Sequence, residues 1–195
     1  EERAIFVGGN GHLTLSGSRI SRWRKSEGRQ SLGLGVQGIG WDESGAVVGQ
    51  AASALVMDSV IEGIEGQGVY VYDADLQMAR TLVSDVRPGS GEDGDAMIVI
   101  GGSFSGEFAP NARLEQCQLE EASRAGVLVA NAAATILDSR INDNLIGIVG
   151  ITNPSIDLDT LSNITGNAQT EQGTDTYAIP NEPMAVPDPP EDLPF

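Results

Sequence analysis

Histidine, cysteine and lysine each occur once in this chain of 195 residues, as His12, Cys117 and Lys25. A single cysteine excludes an intrachain disulfide framework. A single histidine means that any Ser–His–Asp triad would rest on His12, which stands in the turn Gly11-His-Leu and reads as a surface residue. Aromatic residues are scarce at 5%, so a core must be built mainly from aliphatic side chains. No run of 18 apolar residues occurs, which leaves no candidate for a membrane-spanning helix, and there is no signal-peptide pattern. Positive charge is also short: 11 Lys and Arg face 28 Asp and Glu, for a net charge of −17. That balance argues against nucleic acid and anionic membranes as partners.

The positive charge is unevenly placed. Arg3, Arg19, Arg22, Arg24, Lys25 and Arg29 supply six of the eleven cations, and 25 of the 28 acidic residues follow Arg29. An acidic, lysine-poor surface suits high salt or divalent cations. The lone sequon Asn163-Ile-Thr165 carries no weight without a eukaryotic context.

What the chain has in quantity is glycine, 25 residues, and a repeat. Its sense is a Gly-led apolar strand, a short polar break, and then apolar-x-x-Ser-x-apolar. The apolar residue closing the Ser-x-apolar step falls at Ile20, Ile61, Val83, Leu119, Ile141 and Ile164, with gaps of 41, 22, 36, 22 and 23 residues. The slot two residues earlier holds Ser18, Ser59, Thr81, Cys117, Ser139 and Ser162, so Cys117 reads as a packed member of a stack. The Gly-led strand is clearest at Gly68-Val-Tyr-Val-Tyr, Gly126-Val-Leu-Val-Ala and Gly147-Ile-Val-Gly-Ile. These runs alternate with period two and are punctuated by Gly, Asn, Asp and Ser, which predicts strands. No sustained helical stripe occurs. A unit of about 22 residues buries its apolar face only by stacking on its neighbours. Leucine-rich repeats have that length but need a leucine ladder that is missing here.

Apolar-x-apolar-x-x-Ser/Cys-x-apolar-x-x-Asn followed by Gly-apolar-x-apolar resembles the repeat of right-handed parallel β-helix proteins. The best copies are Thr135-Ile-Leu-Asp-Ser-Arg-Ile-Asn-Asp-Asn-Leu-Ile-Gly-Ile-Val and Leu55-Val-Met-Asp-Ser-Val-Ile-Glu-Gly, and the likeness covers roughly residues 4–179. The resemblance implies an all-β solenoid, a right-handed parallel β-helix of about six to seven coils with loop insertions. It spans functions from pectate lyases, polygalacturonases and alginate epimerases to phage tailspikes and bacterial surface proteins. Residues 1–179 are expected to form the solenoid. Residues 180–195, which hold six of the nine prolines, are expected to be an acidic, Pro-rich tail, acting as a linker or a strap. Ala4-Ile-Phe-Val aligns with the middle of a repeat, and Glu1 is not a native start, so further coils are expected N-terminal to residue 1.

The two long gaps hold paired insertions around one short repeat, and loops on a rigid scaffold carry function. With coils about 4.8 Å apart, loops two coils apart emerge about 10 Å from each other and wall a notch. One notch would set Trp41, Asp42 and Glu43 against Phe104, Glu107 and Phe108; the other would set Trp23 and its neighbours against Glu92, Asp93 and Asp95. Flat aromatic faces beside carboxylates suit a sugar. Gly89-Ser-Gly-Glu-Asp-Gly-Asp95 is a candidate Ca²⁺ loop through Glu92, Asp93 and Asp95; otherwise no cofactor is required.

Catalysis on this kind of scaffold implies carboxylates on consecutive coils of one face, or a Ca²⁺ cluster beside an Arg or Lys base. The expected outward carboxylates are Asp58, Asp73, Asp85, Asp138 and Asp157. Asp58 and Asp138 share one slot, but Gly17, Arg80 and Gln116 fill it in the other repeats. The sequence therefore points to a secreted or cell-surface scaffold with a structural, adhesive or carbohydrate-binding role, and leans away from an enzyme without deciding the question. Its partner would be a polysaccharide or another surface protein. The alternative is a lyase, hydrolase or epimerase acting on acidic glycans.

Overall fold

A computed structural model describes residues 2–22, 31–41, 47–49, 51–89, 94–102 and 110–173. The chain is all-β. The first repeat contributes β1 (Glu2–Gly8), β2 (His12–Ser16) and β3 (Arg19–Ser21). The second contributes β4 (Ser31–Gln37), the hairpin strands β5 (Ile39–Trp41) and β6 (Val47–Gly49), and β7 (Ser53–Met57). Next come the long β8 (Val60–Tyr72), β9 (Asp75–Ala79) and β10 (Leu82–Arg87). Three repeats of three strands follow: β11 (Asp95–Ile100), β12 (Asn111–Glu115) and β13 (Gln118–Glu120); β14 (Ala125–Ala130), β15 (Ala133–Leu137) and β16 (Arg140–Asn142); β17 (Ile146–Ile151), β18 (Ser155–Leu158) and β19 (Asn163–Thr165). The last described strand is β20 (Gln169–Gly173).

Strand pairing is parallel, apart from the antiparallel β5–β6 hairpin. Strands β2, β7, β9, β12, β15 and β18 form a six-stranded sheet. The remaining strands join into one sheet of twelve, made of two rows. One row is β1, β4, β8, β11, β14, β17 and β20; the other is β3, β8, β10, β13, β16 and β19. β8 belongs to both. Its residues 60–65 pair with β10, and Gln67–Tyr72 pair with β11.

This topology corrects the expected right-handed β-helix. Instead of a solenoid of six to seven separate coils, the strands make two parallel sheets, the larger curling nearly into a barrel against the smaller. The physical reason lies in β8. Gly63 and Gly66 take φ of 65° and 128°, so the chain turns a corner without leaving the ladder. A side chain at Gly66 would run into the backbone of Ser31.

The apolar markers pair in direct register across the sheet: Ile20 with Ile61, Ile61 with Val83, Val83 with Leu119, Leu119 with Ile141, and Ile141 with Ile164. Ile61, Val83, Leu119 and Ile141 are fully buried in the main core, between the two sheets. The insertions of the long gaps leave this register intact. The leading glycine of the repeat has a packing cause: a Cβ at Gly126 would lie 2.8 Å from the Gly147 carbonyl oxygen and closer still to Ile141.

The first row differs from the rest in being apolar on both faces. Val69, Val71, Val99 and Val129 point into the main core, whereas Tyr70, Tyr72, Ile98, Ile100, Leu128 and Val149 form a second buried cluster. Alternation along a strand places that cluster on the opposite, outer face. Continuous apolar runs are the mark of strands buried on both sides.

Shortening the marker stack should be costly. Ile141→Ala is expected to lower unfolding free energy by about 2–5 kcal/mol, read by chemical denaturation with m unchanged. Cys117, in the neighbouring stack, is 2% exposed, and burial pushes its thiol pKa up. A loss below 1 kcal/mol in Ile141→Ala, or Cys117 labelling as fast in the native state as in denaturant, would contradict this core.

Candidate functional site

Two corners recur along the chain and decide where polar side chains point. At the first, the residue before the Ser slot takes a left-handed backbone: Gly17, Asp58, Arg80, Gln116 and Asp138 have φ between 45° and 57°. The slot residue then turns back, and its hydroxyl or thiol donates to the carbonyl two residues earlier, as in Ser59 to Met57, Thr81 to Ala79, Cys117 to Glu115 and Ser139 to Leu137. The same oxygens accept from the preceding repeat: Ser18 N–H donates to Ser59 Oγ at 3.2 Å, Cys117 N–H to Ser139 Oγ at 3.0 Å and Ser139 N–H to Ser162 Oγ at 3.1 Å. The second corner uses asparagine. Ala122 N–H donates to Asn144 Oδ1 and Asn144 N–H to Asn167 Oδ1, both at 2.9 Å, while the Asn144 amide donates to the Leu119 carbonyl. The Asn of the repeat was visible in the sequence; its role as a corner bracket was not.

The first corner throws its left-handed residues outward in one row. Arg80 holds Asp58 through two bonds, at 2.6 and 2.8 Å, and Gln116 donates to Asp138 at 3.1 Å. The hydrogen bond from Arg80, with its charge, holds the Asp58 carboxyl below its ordinary pKa. Asp159 is likewise lowered, by hydrogen bonds from Ser162 and the Asp138 N–H. Asp85 is gripped by Arg87 at 2.7 and 3.0 Å, and Glu62 pairs with Arg19. Each of these carboxylates accepts from a neighbouring side chain. Asp73, expected to face outward, is instead buried and accepts from Gly102 N–H at 2.7 Å. Asp157 is exposed.

Two hollows lie on the second row and its corner. One, of about 250 Å³, is lined by Gln118, Arg140, Asn142, Asp143, Asn163 and Thr165. Those of Gln118, Arg140, Asn142, Asn163 and Thr165 flank the markers Leu119, Ile141 and Ile164 on β13, β16 and β19, so alternation turns them to the outer face, and Asp143 follows β16 at a left-handed corner. Asn142 bridges Glu120 at 3.2 Å and Asp143 at 2.7 Å. Arg140 is exposed and makes no ion pair among the described residues. The other hollow, of about 200 Å³, is lined by Arg22, Gly63, Glu65, Asp85 and Arg87. Its guanidinium of Arg87 is already committed to Asp85.

Of the residues selected from the sequence, Trp23, Asp42, Glu43, Glu92, Asp93, Phe104, Glu107 and Phe108 lie outside the described residues, and Trp41 is described only by its backbone, at the end of β5. Asp95, the last of the candidate Ca²⁺ ligands, is fully buried at the start of β11. Arg124 grips it through Nε at 2.8 Å and through a second nitrogen, and Ala125 N–H donates to it at 3.1 Å. No group of three or more His, Cys, Asp or Glu side chains is placed to hold a metal among the described residues, and no helix there is long and apolar enough to cross a membrane. Neither the known protein families, nor the curated proteins, nor the solved structures contain a match to this chain.

Two outcomes follow. Asp95→Asn should destabilise the fold by about 3–5 kcal/mol in chemical denaturation, because it leaves the Arg124 charge buried without its counter-ion; a change under 1 kcal/mol would contradict a structural role for the pair. Asp58 has its folded pKa depressed, so its contribution is present above the ordinary value of 3.8 and is lost as pH falls through the lower folded value. An NMR titration of the Asp58 carboxyl carbon should give a midpoint below that value, and Arg80→Gln should move it back up.

Proposed function

We propose that this chain is a binding scaffold whose second strand row presents a polar strip to an acidic carbohydrate, in a structural or adhesive role outside the cell or on its surface. The observation that carries the reading is the hollow around Arg140. A guanidinium uncommitted to any carboxylate among the described residues stands beside the amides of Gln118, Asn142 and Asn163 and the hydroxyl of Thr165. Guanidinium forks match carboxylates, and amides and hydroxyls match sugar hydroxyl groups. Short parallel strands with buried markers between these side chains fix their spacing, which lowers the ordering cost of binding. Another surface protein bearing carboxylates is the second partner such a strip would fit.

The catalytic alternative draws less support from the described carboxylates. Asp58, Asp85 and Glu62 are each bound to an arginine, and Asp58 and Asp159 are held in the ionised form, unsuited to donate a proton near neutral pH.

Oligogalacturonate titrated into the protein should bind, and Arg140→Ala should weaken binding about tenfold, the size of one lost charge-assisted contact of roughly 1.4 kcal/mol. Arg113→Ala, on the six-stranded sheet, should leave binding unchanged. Equal loss in both variants would reduce the effect to bulk charge. Unsaturated products absorbing at 235 nm would replace the binding reading with a lyase.

A further inference from the structure

Where the second row ends, each repeat turns through a left-handed residue: Arg22, Gly63, Asp85, Glu121, Asp143 and Gly166 have φ between 52° and 74°. Direct register along the row stacks them in one column, a strand step apart. Arg22, Asp85, Glu121 and Asp143 take this backbone with full side chains, so the turn does not demand glycine. Gly63 is nevertheless bare between two residues that are not. A Cβ there would lie 3.3 Å from the Arg22 backbone nitrogen and 3.7 Å from Asp85 Oδ2. The missing side chain leaves the floor of the hollow of about 200 Å³, which Arg22 and Asp85 flank and Glu65 and Arg87 complete. The hollow shares no residue with the one around Arg140.

The charges around this notch are mixed. Arg87 and Asp85 neutralise each other through two bonds. Arg22 and Glu65 make no ion pair among the described residues. A simple anion drawn to Arg22 meets Glu65 and Asp85. A simple cation drawn to Glu65 meets Arg22 and Arg87. A ligand that carries both charges a short distance apart satisfies the two uncommitted groups together. We propose that the Gly63 notch binds a free α-amino acid, its carboxylate on Arg22 and its ammonium group on Glu65 and the outer lone pairs of Asp85. The guanidinium fork suits the carboxylate, and a carboxylate that already accepts from one arginine keeps acceptor sites for an ammonium group. The size agrees as well. Arg22 and Asp85 stand two strand steps apart, about 9.6 Å. The N–Cα–C unit of an amino acid with one hydrogen bond of about 2.9 Å at either end measures about 9 Å.

The test is an NMR titration of the full, isotope-enriched chain with L-alanine, N-acetyl-L-alanine and L-alaninamide. L-Alanine should move the amide signals of Arg22 and Gly63 to a saturable limit, with a Kd of about 1 mM for so small a ligand on an open site. Each blocked form lacks one charge and should bind about tenfold more weakly. Arg22→Gln and Glu65→Gln should each weaken alanine by about tenfold as well. Gly63→Asn places a side chain on the floor while keeping a residue that tolerates the left-handed backbone. It should abolish the alanine shift at Arg22 and leave the methyl signals of Leu128 and Val149, in the outer core cluster, where they were, which checks the fold. A blocked form that binds as tightly as alanine would reduce the notch to a site for a single charge. Shifts that never saturate, or saturable binding unchanged in Gly63→Asn or in both glutamine variants, would place the ligand elsewhere or nowhere. Each of these results overturns the proposal.

Discussion

Every repeat depends on how a backbone N–H is satisfied where the chain leaves one strand row for the next. The strand ladders leave it to be met by a side chain, at a place that is buried or part-buried. The chain solves this with a side-chain oxygen from the following repeat, Ser59, Ser139 and Ser162 at one corner and Asn144 and Asn167 at the other. Each such oxygen satisfies a donor whose loss would cost about 1–3 kcal/mol. The bracket also fixes the step between repeats, which keeps Ile61, Val83, Leu119 and Ile141 in register. The tight turn has its own cost, since Asp58, Arg80, Gln116 and Asp138 sit in a left-handed backbone worth about 1–2 kcal/mol for a residue with a Cβ. Hydrogen bonding at the corner and aliphatic burial beneath it offset that strain together.

The parts of this arrangement that were legible in the sequence are those with a fixed spacing. Markers 22 residues apart must pair if they pair at all, and a small polar residue two positions before each marker announces the corner. Other parts had no such signal. Whether a strand breaks or bends at a corner depends on two glycines, Gly63 and Gly66, and Gly is common at breaks as well; so the fusion of two rows through β8 was misread as separate coils. Asp73 looked outward by alternation, yet it stands at a corner with φ of 47°, where alternation no longer holds. Asp95 looked like part of an acidic loop because its partner Arg124 is 29 residues away. The Arg140 hollow was invisible for a similar reason: its lining comes from three strands and the corners Asp143 and Gly166, and carries no motif.

Net charge misleads in the same way. A chain at −17 suggests an acidic surface over most of its length beyond Arg29. The fold instead sets several of its few arginines directly against carboxylates. Arg80 stands between Asp58 and the acidic residues that follow, Arg87 grips Asp85, and Arg113 lies 3.4 Å from Glu115. Exposed pairs of this kind contribute little to stability individually. Their larger effect is to cancel local fields, so that an arginine left over stands out against its surroundings.

Three surfaces of different chemistry follow from one alternating chain. The first row is apolar outside as well as inside and is covered. The six-stranded sheet turns Asp75, Gln77, Arg113 and Glu115 to water, and Arg113 pairs with Glu115 on the same strand. The second row is polar outside, and at β13, β16 and β19 its strands are only three residues long, with left-handed corners such as Asp143 and Gly166 after them, so the outer side chains there sit in a recess. A recess desolvates a ligand more completely than an exposed ridge, and charge-assisted hydrogen bonds strengthen as water leaves. Of the three surfaces, the second row is therefore the one that sets a guanidinium without an ion pair among the described residues beside amides in a recess, which is the arrangement the proposed binding role requires.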